Sequence, residues 1–192
     1  MAVTPKIALD YLAGAQKRSR LAHAYLITGG PGSGKRGLAA KLAHLVNSAP
    51  VDHIFAGSAL DVHLVSPESK SRRIVIEQIR SLEHALQMRA SDGRRKVGVI
   101  FEADRMVPQA ANAFLKTLEE PPNNSLLLLL SSIPEILPET ILSRCIEIPL
   151  TSPTDKALST EEEELLALLN SCLLYTSPSP RDISGSRMPS SA

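Results

Sequence analysis

Apolar residues along the chain follow two arrangements: short apolar-rich runs, and longer stretches in which they recur every three or four positions. The short runs at residues 24–28, 61–65, 96–101, 125–131 and 145–148 predict strands, and the continuous apolar character of the first predicts burial on both faces. Helical spacing marks residues 4–17, with Pro5 at a tolerated early position and Ile7, Tyr11, Leu12 and Ala15 expected toward the core. It recurs after Lys35, with Leu38, Leu42, Leu45 and Val46 on one face up to about Asn47, and again from near Ile74, with Ile79, Leu82 and Leu86. A further helix is predicted from Pro108, with Ala111, Phe114, Leu115 and Leu118 apolar and Pro121-Pro122 as its stop. Residues 47–60 read as loop and 138–142 as a short helical turn. Strands alternating with helices predict an α/β fold, a five-stranded parallel sheet covered on both faces, with ligands at the carboxyl ends of the strands.

The first strand runs straight into Gly29-Gly30-Pro31-Gly32-Ser33-Gly34-Lys35 and then a helix. Strand, glycine loop and helix in that order, with the spacing Gly29-x4-Gly34-Lys35, make a phosphate-binding loop. Glycines let successive N–H groups turn inward, the helix N-terminus adds its positive end, and Lys35 reaches the outer phosphates. The next residue in this motif is Ser or Thr, whose hydroxyl holds magnesium; here it is Arg36. The motif therefore offers a triphosphate cradle for ATP while lacking half of the metal site.

Bulk composition narrows the remaining classes. At 192 residues the chain can bury a sizeable core, and a net charge of +1 exerts no global pull on nucleic acid or anionic membrane. The longest apolar run, residues 126–130, is far too short to cross a bilayer, and nothing resembles a signal peptide, so a cytoplasmic protein without membrane contact is expected. Two cysteines, Cys145 and Cys172, make neither a disulfide framework nor a tetrahedral zinc site. The basic runs Lys70, Arg72, Arg73 and Arg94, Arg95, Lys96 read as solubilising charge.

Composition shifts after Ser171 to a Ser- and Pro-rich stretch without period. Residues 172–182 can be encoded by a string resembling a common transposase sequencing adapter, and residues 186–192 by one resembling the flow-cell end of the same library, in one frame and in the right order. Residues 172–192 are accordingly read as a translated adapter, with native sequence expected to continue past Ser171. Before them, residues 151–171 read as a linker and the start of a helical lid, with Thr160 and Glu163 forming a capping box.

With the glycine loop, Lys-Val-Gly-Val-Ile-Phe-Glu-Ala-Asp from Lys96, Asn-Ala-Phe-Leu-Lys-Thr-Leu-Glu-Glu-Pro-Pro from Asn112 and Ser143-Arg144-Cys145 laid in order, the chain from about Leu9 to Leu150 resembles bacterial DNA polymerase III clamp-loader subunits, and residues 1–150 are read as their AAA+ domain. The likeness is to the delta-prime type, with gamma/tau as near relative. It implies a P-loop AAA+ fold, here ending before the lid is complete and before the collar domain that drives assembly, so this fragment alone should assemble poorly. It also implies membership of a complex with gamma/tau and delta subunits that places a sliding clamp on primed DNA. Relatives commonly carry a four-cysteine zinc module before the second strand; residues 47–60 contain no cysteine, and His53 and His63 lack partners, so no zinc is expected.

The resemblance also assigns roles. Where hydrolysing relatives place a magnesium aspartate and a water-polarising glutamate, this chain has Phe101 and Glu102. Asp104 is a possible substitute, and Glu102 is equally readable as a surface residue at a strand end. With Arg36 and Phe101 at the two metal-anchoring positions, the expectation is a subunit that binds nucleotide weakly or vestigially and hydrolyses it poorly or not at all. Arg144 corresponds to an arginine finger lent to a neighbouring subunit's ATP; from spacing alone it would pair with a carboxylate of its own chain, such as Glu139 or Glu147. Ser131 and Ser132 stand where relatives sense the outer phosphate, or else cap the following turn. The competing reading is a gamma/tau-like ATPase that hydrolyses ATP itself; an unrelated P-loop kinase or transport ATPase does not fit the later motifs.

Overall fold

The computed structural model describes residues 2–68, 72–88, 90 and 94–151. Lys70, nearly all of the predicted linker, the helix expected after Thr160 and residues 172–192 lie outside them. Five strands, β1 Ala24–Thr28, β2 Val62–Val65, β3 Lys96–Ile100, β4 Ser125–Ser131 and β5 Ile146–Pro149, form one parallel sheet in the order β2-β3-β4-β1-β5. Helices α1 Pro5–Lys17, α2 Lys35–Asn47 and α3 Val51–Phe55 precede β2; α4 Ile76–Gln87, α5 Pro108–Glu119 and α6 Glu139–Leu142 follow it.

The central strands feed two cores because their side chains alternate between faces. Leu126, Leu128 and Leu130 of β4 join Tyr25, Ile27, Val97 and Val99 under α1 to α3, while Leu127 and Leu129 join Leu26 and Ile100 under α4 to α6. Gly98 admits the second layer closely: a Cβ there would lie 3.2 Å from Leu82 Cδ1 and 3.3 Å from Leu127 Cδ2. Helix starts follow local chemistry. Thr4 caps α1 by accepting from the Ile7 N–H at 3.4 Å, Pro5 and Pro108 occupy first-turn positions, and Gln78 Oε1 accepts from the Val75 N–H at 3.1 Å ahead of α4.

Four expectations change. Ala8 and Leu12 are the buried residues of α1, while Ile7 and Tyr11 are 58% and 70% exposed. The pattern at 7, 8, 11, 12 and 15 contains two adjacent stripes, and only the one facing α2 is covered. The stretch 47–60 is not all loop, since Val51–Phe55 makes a helix that buries Ile54. β3 ends one residue before Phe101, and β5 starts one residue after Cys145. Finally, Arg95 and Lys96 do not act as surface charge. Arg95 donates to Ser125 O at 3.0 Å and Ala22 O at 3.3 Å, tying the starts of β4 and β1 together. Lys96, 4% exposed, donates to Ala85 O at 2.6 Å and so caps the last turn of α4, with Asp61 3.9 Å away.

The register brings the carboxyl ends of the central strands level: Thr28 of β1 lies beside Ser131 of β4 and Pro149 of β5. The glycine loop, the chain leaving β3 at Phe101 and the chain leaving β4 at Ser132 consequently meet along one rim.

Candidate functional site

The loop from β1 to α2 is built by glycines in conformations other residues avoid. Gly29, Gly32 and Gly34 have φ of +146°, +78° and +83°. At Gly29 the constraint is also spatial, since a Cβ would lie 2.8 Å from both Leu150 O and Ser33 Oγ. Gly30 O accepts from the Ser33 N–H at 3.3 Å, closing the turn through Pro31 and Gly32. Ser33 is buried, and its hydroxyl has no hydrogen-bond partner among the described residues. An orphaned buried hydroxyl inside a glycine cradle at a helix N-terminus fits an anionic oxygen.

Lys35 opens α2 and turns back over this loop. Its ammonium donates to Gly29 O, to Gly30 O at 2.9 Å and to Ser132 Oγ at 3.2 Å. Burial lowers the Lys35 pKa from its ordinary value, and the charge of Asp104 opposes the drop. All three protons are committed, so a phosphate oxygen competes first with the neutral Ser132 hydroxyl.

Arg36 and Phe101, the residues expected at the metal-anchoring positions, meet each other. The Arg36 guanidinium carbon lies over the Phe101 ring, 4.7 Å from its centroid, within cation–π range. Both line a cleft of about 510 Å³ together with Pro31 to Lys35, Glu102, Leu130 and Ser132. A hydroxyl and a carboxylate would suit magnesium there; a cation stacked on a benzene ring does not.

Glu102 sits in the left-handed region at φ 50°, ψ 51°. Its carboxylate accepts from Arg105 Nε at 2.7 Å and from Arg72 at 3.4 Å, so it serves as an ion-pair partner rather than an uncommitted acceptor for a water proton. Asp104 Oδ1 accepts from Ser131 Oγ at 2.6 Å and from the Ser132 N–H at 3.2 Å, while Ser131 Oγ accepts from the Ile133 N–H at 3.1 Å. Ser131, 1% exposed, therefore caps the turn after β4, and Ser132 is the serine facing the loop.

Arg144 follows α6, apart from this cleft. It pairs with Glu119 of α5 at 2.7 Å and donates to Thr140 O at 3.0 Å, with 36% of its side chain exposed. Neither Glu139 nor Glu147 is its partner; Glu147 instead accepts from Thr28 Oγ1 at 2.9 Å. Sequence reasoning missed Glu119, and it missed Arg105 as the partner of Glu102, although the i, i+3 spacing pointed to the latter. Among the described residues no group of three or more His, Cys, Asp or Glu is arranged to hold a metal ion. His63, half-buried in β2, has an unpartnered Nε2, and burial first, then the Lys96 charge, push its pKa down.

The family model described as DNA polymerase III, delta subunit, matches residues 4–154. The chain belongs to that family. Its likeness within the clamp-loader subunits is delta-prime-like: it is 37% identical to DNA polymerase III subunit delta-prime of Pseudomonas aeruginosa over 142 residues, 68% of this chain and 43% of that protein. The Bacillus subtilis delta-prime subunit is 33% identical over 74% of this chain and 46% of its own length. Tau/gamma is the near relative, with the Haemophilus influenzae subunit 33% identical over 83% of this chain and 24% of its own length. The chain thus spans less than half of the delta-prime relatives it matches. A gamma-subunit-related protein of Thermotoga maritima superposes with TM-score 0.61 at 26% identity, covering 86% of this chain and 56% of that one. The Thermotoga maritima RuvB Holliday junction branch migration motor, at 18% identity and TM-score 0.54 over 89% of this chain and 50% of its own, shares the fold alone. The fold of this delta-prime-like chain is accordingly the P-loop AAA+ fold.

Proposed function

We propose that this delta-prime-like chain is the AAA+ portion of a clamp-loader subunit that holds nucleotide without hydrolysing it and lends Arg144 to the ATP site of an adjoining subunit. The observation that carries this reading is the Arg36–Phe101 stack, which fills both positions from which a P-loop NTPase anchors magnesium. Gly29 to Lys35 would hold the phosphates, with the Ser33 hydroxyl and Ser132 beside them. Glu102, paired to two arginines, supports a site without its own water activation.

Arg144 suits a role in trans. It sits at the end of a short helix, partly exposed, held by a carboxylate that is more exposed still. Such a pair contributes about 0–1 kcal/mol, little enough for a neighbour's phosphates to replace Glu119. The partners on this reading are gamma/tau and delta subunits, with the sliding clamp and primed DNA engaged through the complex in the cytoplasm. Among the described residues no helix is long and apolar enough to cross a membrane.

A gamma/tau-like ATPase is the second reading, favoured by the intact glycine loop and Lys35. The test is Arg144→Ala in the reconstituted assembly with its full-length subunits. DNA-stimulated ATP hydrolysis should drop while folding and incorporation persist, and an unaffected rate overturns the trans role.

A further inference from the structure

Arg36 combines two properties that a surface arginine rarely has together. Its guanidinium is stacked on the ring of Phe101, a residue only 9% exposed and therefore fixed in the core under α1 to α3. Yet among the described residues no carboxylate or other acceptor engages its N–H groups. Stacking uses the face of the guanidinium and leaves the edge, with its fork of donors, available. Arg36 lines the cleft of about 510 Å³ that Lys35 and the glycine loop also line. The residues fit a polyphosphate and not a divalent ion.

We infer that Arg36, held on Phe101, is a built-in counter-cation, and that the cradle binds a nucleoside di- or triphosphate without a divalent metal. In a magnesium-anchored loop the ion neutralises charge between the outer phosphates. Here Lys35 and Arg36 supply two positive charges from the protein itself, one on each side of the Lys35–Arg36 peptide at the start of α2, and the helix N-terminus adds its dipole. The Phe101 ring holds the guanidinium in place without consuming a donor, which a carboxylate partner would do. Removing the hydroxyl and carboxylate that bind magnesium while adding a fixed cation changes the requirement for metal and leaves the phosphate cradle as it was.

The inference rests on reading Gly29 to Lys35 as a nucleotide cradle and is independent of the role of Arg144. Isothermal titration of the whole chain with ADP and with ATP, in magnesium and in EDTA, tests it. Affinity should be the same in both buffers. Arg36→Thr, which restores the motif's hydroxyl at an exposed position, should weaken binding in EDTA about tenfold, the scale of a charge-assisted hydrogen bond. Phe101→Leu keeps the apolar volume and removes the ring, so affinity should fall about two- to fivefold. Binding that requires magnesium, binding in EDTA that Arg36→Thr leaves intact, or no binding of either nucleotide in either buffer each overturns the inference. No binding in either buffer removes the cradle on which the inference rests, whereas binding that requires magnesium leaves the cradle standing and overturns the inference alone; neither result bears on turnover by an assembly carrying Arg144→Ala.

Discussion

Gly29→Ala probes the glycine cradle and its seat in the fold together. The glycine has φ +146°, and a methyl there would sit 2.8 Å from Leu150 O, which is backbone and cannot swing away, and 2.8 Å from Ser33 Oγ. Holding a non-glycine residue in such a conformation costs about 1–3 kcal/mol. Pressing the new methyl against its neighbours adds about 1–3 kcal/mol. Lower entropy of the unfolded chain returns about 0.4–1 kcal/mol, for a net loss of roughly 2–5 kcal/mol. Stability of a domain is of order 5–15 kcal/mol, so this is a large fraction of it. The melting temperature should fall roughly 4–20 °C, at about 2–4 °C per kcal/mol for this size. Gly37 in α2 is the internal control: its φ lies outside the left-handed region and a Cβ there meets nothing within 4 Å. Gly37→Ala should stabilise by about 0.5–1 kcal/mol. Urea unfolding of both variants gives the measurement. A Gly29→Ala protein as stable as the parent, or a Gly37→Ala protein that loses more, would refute the geometry assigned to the loop.

Two further outcomes follow from the titrating groups. Burial pushes the Cys145 thiol up to about 12, so in a Cys172→Ser background the native protein should react with Ellman's reagent only after unfolding; prompt reaction at pH 8 would contradict that. Because the folded pKa exceeds the unfolded value of 9.0, the stability tied to this thiol is fully present below pH 9 and is lost as pH rises toward 12. Asp104→Asn removes the negative charge that opposes the lowering of the Lys35 pKa, so the ammonium should titrate at still lower pH. Nitrogen NMR of the lysine side chains checks this, and an unmoved Lys35 titration would show that Asp104 does not act on it.

β1 and β4, buried on both faces, were legible because each leaves an apolar run, and both have the bounds the sequence predicts. The glycine loop and the proline-started helices were legible because each depends on chemistry within a few residues. What depended on distant chain was not. Ile7 and Tyr11 carry the same periodic signal as Ala8 and Leu12, and only the position of α2 decides which stripe is covered. Lys96 looks like surface charge until the end of α4 is found above it. The site divides in the same way. Arg36 and Phe101 each stood out alone as departures from a metal site, yet 65 positions apart nothing in the sequence places one on the other. Ser131 and Ser132, read alike from the sequence, part at the end of β4, the first donating to Asp104 and the second accepting from Lys35.

The division between holding nucleotide and acting on a neighbour is tested most directly by ATP turnover in a reconstituted clamp-loader assembly carrying, in this subunit, either Lys35→Ala or Arg144→Ala at equal incorporation. If the subunit acts in trans, Arg144→Ala lowers turnover at the adjoining site by about a thousandfold, the scale of an arginine finger, while Lys35→Ala leaves that turnover near the parental rate. The reverse pattern, with Lys35→Ala abolishing hydrolysis and Arg144→Ala sparing it, would make this subunit an ATPase in its own right.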